Sequence, residues 1–166
     1  HTVSLIAIGY TIASIIGGIF FGTMSEKIGR KKAIIIAALL SLPVIPLWAF
    51  SSGTWTIGLG AFLMQFMVQG AWGVVPSYLT ELVPANTRAV LPGFVYQLGN
   101  LLASVNATLQ ASIAESHGHN YGLAMAIVAG TVAIVISILV AFGRDTRGKA
   151  ITGAINNQTA DQPAKV

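Results

Sequence analysis

Along its length the chain alternates long apolar runs with short polar breaks. Five runs stand out, at residues 2–23, 33–50, 55–79, 89–113 and 121–142, and none holds a Lys, Arg, Asp or Glu. Each is roughly 18 to 25 residues long, which as helix at about 1.5 Å per residue crosses a hydrocarbon layer about 30 Å thick. The runs lack the period-2 alternation of membrane strands and exceed their length, so each is predicted to be a transmembrane helix. Pro43, Pro46, Pro76 and Pro92 fall inside or near the ends of runs. A membrane bundle accommodates such kinks where neighbouring groups satisfy the freed carbonyls. Residues 1–150 are therefore expected to form one all-α, polytopic membrane helix bundle. Residues 151–166, polar and without apolar periodicity, are expected to be a disordered tail.

Composition sharpens this picture. Of 166 residues, 54% are hydrophobic and only 8% charged, where a soluble domain carries about a quarter of its residues as charged groups. A water-facing surface cannot be built from so few charges. The absence of Cys excludes a disulfide framework and a thiolate nucleophile.

The nine basic residues then set the topology. Lys27, Arg30, Lys31 and Lys32 lie between runs one and two, Arg88 between three and four, and Arg144, Arg147, Lys149 and Lys165 after run five. The other two breaks carry no Lys or Arg. Every basic residue thus falls on one side of a five-span model, the positive-inside pattern of a protein in the cell (inner or plasma) membrane. The C-terminus is expected in the cytoplasm and the N-terminus outside. Five spans with an outside start lead to the expectation of a further helix upstream.

Two polar segments at the basic side invite a functional reading. Residues 22–32 (GTMSEKIGRKK) are expected to reverse the chain within about ten residues, with Gly22 ending a helix and Gly29 allowing a tight turn. There Glu26 and the basic run from Lys27 through Arg30 to Lys32 can cap helix ends, pair with neighbouring charges or contact anionic lipid; the plainer reading is a positive-inside anchor. In residues 76–88 (PSYLTELVPANTR), Glu81 and Arg88 bracket Pro84. Such a pair can latch two helix ends in one transport conformation, or be an interfacial pair of little consequence.

Inside the runs, polar side chains are the candidates for solute contact, because lipid exposure disfavours them. Gln65, Gln69 and Trp72 recur at spacings of four and three and share one helix face. Tyr96, Gln97 and Asn100 cluster in run four, with Asn106 and Gln110 further along. Amides donate to a carboxylate and accept from a hydroxyl, which suits a small hydroxy or keto acid; the alternative for each is an interhelical bond with no ligand. The pair Gly18/Gly22 and Gly70, Gly73, Gly93 and Gly99 are read as helix-packing positions. No Gly-Lys-Ser/Thr follows a strand, so no phosphate-binding loop is expected. His117 and His119 lack a third ligand and are read as a hydrated loop, not a metal site. No cofactor, metal, nucleic-acid partner or enzymatic activity is expected.

The first polar segment resembles the loop after the second helix of each half of the major facilitator superfamily, with Ser25 where the family's common form has Asp. The second is similar to the Pro-x-Tyr-x-x-Glu-x-x-Pro-x-x-x-Arg pattern of its sugar and organic-anion carriers. Residues 69–76 (QGAWGVVP) and 91–100 (LPGFVYQLGN), with 143–150 (GRDTRGKA), resemble the C-terminal half of the sialate and lactate/pyruvate proton symporters. That resemblance covers about residues 5 to 150. It implies five transmembrane helices of a six-helix half of a twelve-helix transporter, the other half and one upstream helix being partners. It further implies proton symport, by alternating access, of a small organic anion such as lactate or pyruvate. A sugar or sialic acid carrier is one alternative. A channel or non-transporting membrane scaffold is the other, although no filter or ring of charge is visible.

Overall fold

The computed structural model describes residues 2–84 and 86–144, which form helices and short turns. The first run is α1, Thr2–Ile28. The second is α2, Arg30–Ser41, followed by a 3-10 turn at Leu42–Val44 and a short α3, Ile45–Ala49. Pro43 and Pro46 sit in the first turns of these last two pieces, where a missing N–H is tolerated, so the span bends without ending. The third run is the long α4, Thr54–Leu82, which continues through Pro76. The last is α7, Tyr121–Phe142.

These four spans are each long and apolar enough to cross a membrane. The fourth run differs from expectation: it is two helices, α5 (Leu91–Ala103) and α6 (Asn106–Ser116). No Pro or Gly sits at the break. Ser104 instead bonds the Leu101 carbonyl twice, with its amide at 3.2 Å and its hydroxyl at 2.7 Å. Such back-bonding diverts a carbonyl from the regular ladder and bends helices.

The expected ten-residue loop at 22–32 is also corrected. α1 runs on to Ile28, and the chain reverses at Gly29, whose φ of 99° lies in the left-handed region. Only glycine adopts that conformation without strain. Gly22 does not end a helix; it lies within α1, and a Cβ there would meet nothing within 4 Å.

α4 is the central element, packed against α1, α2 and α3. Close approach explains two of its neighbours: a Cβ on Gly17 would collide with the Phe66 carbonyl, and one on Gly70 with the Phe21 ring. Phe21, Ala33, Ile34, Ala37, Val74 and Tyr78 form a core toward the basic end, and Val44, Ile45 and Met64 form a second toward the other. Gly73 packs on Gly18, whereas among the described residues nothing lies within 4 Å of a Cβ at Gly93 or Gly99. Large side chains such as Leu5, Ile19, Leu139 and Phe142 lie on the outside. An apolar exterior on spanning helices makes this an integral membrane protein. The proposed tail at 151–166 lies outside the described residues.

Candidate functional site

At the basic end, α2 begins with Arg30, Lys31 and Lys32 in its first turn and no acidic residue there. Cations at a helix N-terminus oppose the helix dipole, so the arrangement needs compensation from elsewhere. Arg30 supplies it by donating from Nε to Glu81 Oε1 of α4 at 3.0 Å and from Nη1 to Ser25 Oγ of α1 at 2.5 Å. Ser25 is buried, and its hydroxyl donates a hydrogen bond to the Gly22 carbonyl at 2.6 Å. One guanidinium thus joins α1, α2 and α4. Its side chain and that of Glu81 are each about one-fifth exposed, at 21% and 20%, so the pair is only partly screened by solvent.

Next to it, Lys31 Nζ donates to the Gly143 carbonyl at 3.0 Å and the Tyr78 hydroxyl to the Arg144 carbonyl at 3.0 Å. These donors satisfy carbonyls just past the C-terminus of α7, where positive charge is favoured. Sequence reasoning missed both contacts. The basic cluster and the last apolar run were visible, but not that two helices apart in sequence end side by side.

The Glu81–Arg88 pairing read from the sequence is replaced by Glu81–Arg30. Glu81 lies in the last turn of α4 facing α2, whereas Arg88 follows the turn at Pro84 and reaches back to the Val83 carbonyl at 3.5 Å. The Arg88 Nε is buried, with no hydrogen-bond partner among the described residues. Glu26 is exposed on the last turn of α1, outside the bonds that Arg30 makes.

The second group of candidates lies where α4 meets α5. The Trp72 indole donates from Nε1 to the Tyr96 hydroxyl at 2.8 Å, with ring centroids 5.4 Å apart. Asn100, one turn along α5, donates to the Gln97 side-chain carbonyl at 3.0 Å. Toward the basic end from this pair lies an open cleft of about 350 Å³, lined by Pro76, Leu79, Thr80, Pro92, Gly93, Tyr96 and Gln97. The lining is mostly apolar with a few hydroxyl and amide groups, the usual character of a small-molecule site.

Three of the six expected solute contacts, Trp72, Tyr96 and Gln97, gather at or beside this cleft, and Asn100 joins them through Gln97. Gln65 does not. It is buried and donates to Ser14 Oγ of α1 at 2.8 Å, so it serves as an interhelical bond. Gln69 is half-buried on α4, one turn from Gln65. Asn106 and Gln110 pair with each other at 3.2 Å on α6 and line a separate, largely apolar groove with Trp48 and α7.

Comparison with known proteins agrees with this architecture. A model of the Major Facilitator Superfamily matches residues 1–162. A carboxylic acid transporter protein homolog of Saccharomyces cerevisiae is 29% identical over 96% of this chain and 28% of its own length. The sialic acid transporter NanX of Escherichia coli is 30% identical over 83% of this chain and 34% of its own. Myo-inositol transporter 2 of Cryptococcus neoformans is 28% identical over 97% of this chain and 32% of its own. The chain therefore spans about a third of the length of these relatives.

Proposed function

The chain belongs to the major facilitator superfamily, and from that premise we propose that it forms most of one half of a carrier for a small organic anion, a monocarboxylate such as lactate or pyruvate. The observation that carries this reading is the convergence of an indole N–H, a phenol and two amides from α4 and α5 beside one cleft. With the indole N–H engaged by Tyr96, a carboxylate accepts from the Tyr96 hydroxyl and the amide N–H groups, and a neighbouring hydroxyl or keto group is recognised by the same amides. The names of the yeast and bacterial relatives, transporters of carboxylic and sialic acids, support the same class.

Transport in such a carrier breaks no covalent bond. Solute binds between two bundles near mid-membrane and the bundles rock to expose it alternately. The partner surfaces are an N-terminal half and one upstream helix of the full-length carrier, together with the lipid bilayer. In this reading the basic end faces the cytoplasm and the carrier sits in the plasma membrane, an orientation that the one-sided charges favour. Among the described residues no carboxylate lines the cleft, and in this reading the titrating group of proton symport is placed in the other half or on the solute itself. Ser25, Arg30 and Glu81 hold the cytoplasmic end of the bundle in the shape from which rocking starts, and Gly29 makes that geometry possible.

One observation favours a second reading: among the described residues no cationic side chain lines the cleft, which equally suits a neutral polyol. Proteoliposomes containing the full-length carrier and given an inward proton gradient separate the two. Saturable uptake of labelled lactate or pyruvate, collapsed by a protonophore, is expected. Uptake of glucose or inositol with no response to either acid would replace the anion reading by the polyol one.

A further inference from the structure

Among the described residues, the polar side chains that line the cleft between α4 and α5 are Thr80, Tyr96 and Gln97. Each is already bonded on one side, and that bond fixes what the group has left to offer. The Tyr96 oxygen accepts from the Trp72 indole at 2.8 Å, so the phenol keeps its own O–H to donate. The Gln97 carbonyl accepts from Asn100 Nδ2 at 3.0 Å, which leaves the amide hydrogens of Gln97 to donate. Thr80 is the reverse case. Its hydroxyl donates to the Ser77 carbonyl at 2.8 Å. A hydroxyl has one hydrogen and two lone pairs, so Thr80 Oγ1 remains as an acceptor. All of these bonds lie within or between α4 and α5, so they are set by this chain alone.

We propose that this division of roles selects a short acid with a hydroxyl beside its carboxylate over the corresponding keto acid, and that Thr80 is the residue that tells the two apart. The proposal rests on the organic-anion reading and narrows it. An ionised carboxylate only accepts, so it takes the α5 side of the cleft, where Tyr96 and Gln97 donate. The hydroxyl of the same solute carries a hydrogen, and Thr80 on α4 receives it. A keto oxygen carries none. It meets Thr80 Oγ1 lone pair to lone pair, or it draws the Thr80 hydrogen away from the Ser77 carbonyl. Either way the complex holds one hydrogen bond fewer.

A site built to bond a solute hydroxyl rejects the analogue that lacks it, because the polar group of the site is left unpaired. Thr80 is half-buried, so the loss is that of one ordinary net hydrogen bond, about fivefold in affinity. The donor side discriminates more strongly, since hydrogen bonds to an ionised acceptor are about twice as strong as neutral ones. Trp72 and Asn100 are positioning residues in this arrangement. They stand beside the cleft and hold Tyr96 and Gln97 to their donor roles.

Equilibrium binding to the purified full-length carrier in detergent, at neutral pH, tests this with L-lactate, pyruvate and lactamide as probes of similar size. Lactate is expected to bind about fivefold tighter than pyruvate. It is expected to bind about tenfold or more tighter than lactamide, in which an amide replaces the ionised acceptor. Thr80→Val keeps the shape of the side chain and removes the acceptor, and is expected to bring lactate and pyruvate to near equality. Thr80→Ser, which keeps the hydroxyl, is expected to retain the preference. A packing defect alone lowers both affinities together and leaves their ratio standing. Trp72→Phe frees the Tyr96 oxygen to accept from an amide, and is expected to narrow the gap between lactate and lactamide. Pyruvate bound by the parent as tightly as lactate, or a preference that survives Thr80→Val, would overturn the role of Thr80 and leave the anion reading intact. Binding of inositol with neither acid bound would overturn both.

Discussion

Replacing Glu81 by Gln keeps the size of the side chain and removes the charge that faces Arg30. At 3.0 Å and an effective dielectric of about 20, the gross Coulomb attraction is about 5.5 kcal/mol. Most of it is offset by desolvating the two groups and by fixing two long side chains. Exposed pairs retain about 0–1 kcal/mol, and breaking a fully buried pair costs about 3–5 kcal/mol. With each side chain about one-fifth exposed, a net loss of about 1–2 kcal/mol is expected. Arg30 is then left at the N-terminus of α2 with Ser25 alone, against the helix dipole.

A double-mutant cycle isolates the pair: Glu81→Gln, Arg30→Gln and the double variant, each followed by thermal unfolding of the full-length carrier in detergent and by uptake rate in proteoliposomes. The two single variants are expected to lower stability by similar amounts and the double variant by clearly less than their sum, a coupling of about 1 kcal/mol or more. Uptake is expected to slow up to about tenfold, the ratio that about 1.4 kcal/mol produces between two states, with solute affinity within a few fold of the parent. Strict additivity would refute the pairing as an energetic link. A large loss of affinity at unchanged rate would refute the separation of this cluster from the solute site.

Arg88→Ala, which removes a 3.5 Å contact to Val83, is expected to slow uptake less than Glu81→Gln in the same assay. Gln97→Ala is expected to weaken solute binding measured at equilibrium, whereas Gln65→Leu should leave affinity unchanged and lower the melting temperature, since it breaks the bond to Ser14; a net hydrogen bond is worth about 1 kcal/mol. Gly17→Val places a branched side chain against the Phe66 carbonyl and is expected to abolish a monodisperse folded peak in fluorescence-detected size exclusion. Gly22→Ala, in open space, should leave that peak intact. For topology, Cys introduced at Thr54 or Ser116 is expected to react with an impermeant reagent from outside and Cys at Lys149 only after permeabilisation; labelling of Lys149→Cys in sealed cells would reverse the orientation.

The apolar runs were legible in the sequence because lipid imposes a length and forbids charge, both of which are local properties. The one-sided basic residues were legible for the same reason, as was the bend near Pro43 and Pro46, which lack a backbone donor. The turn at Gly29 followed from its permissive backbone, although its length did not. Helical tendency carried α1 through Gly22 and the polar residues after it as far as Ile28, because nothing between them prevents a helix.

The facing of each helix was left to tertiary structure. A span that is apolar all round has no amphipathic stripe to mark its inner side, so Gln65, Gln69 and Trp72 share a face in sequence terms without revealing which neighbour they meet. Packing turned Gln65 onto Ser14 and brought Trp72 to Tyr96. Likewise, Glu81 and Arg88 are close along the chain, but the chain reversal after α4 points Arg88 back at its own turn. Arg30, 51 residues away in sequence, takes the carboxylate. Local chemistry determined which residues lie in lipid and which at its edge; only the close approach of α1, α2 and α4 decided which polar groups became partners.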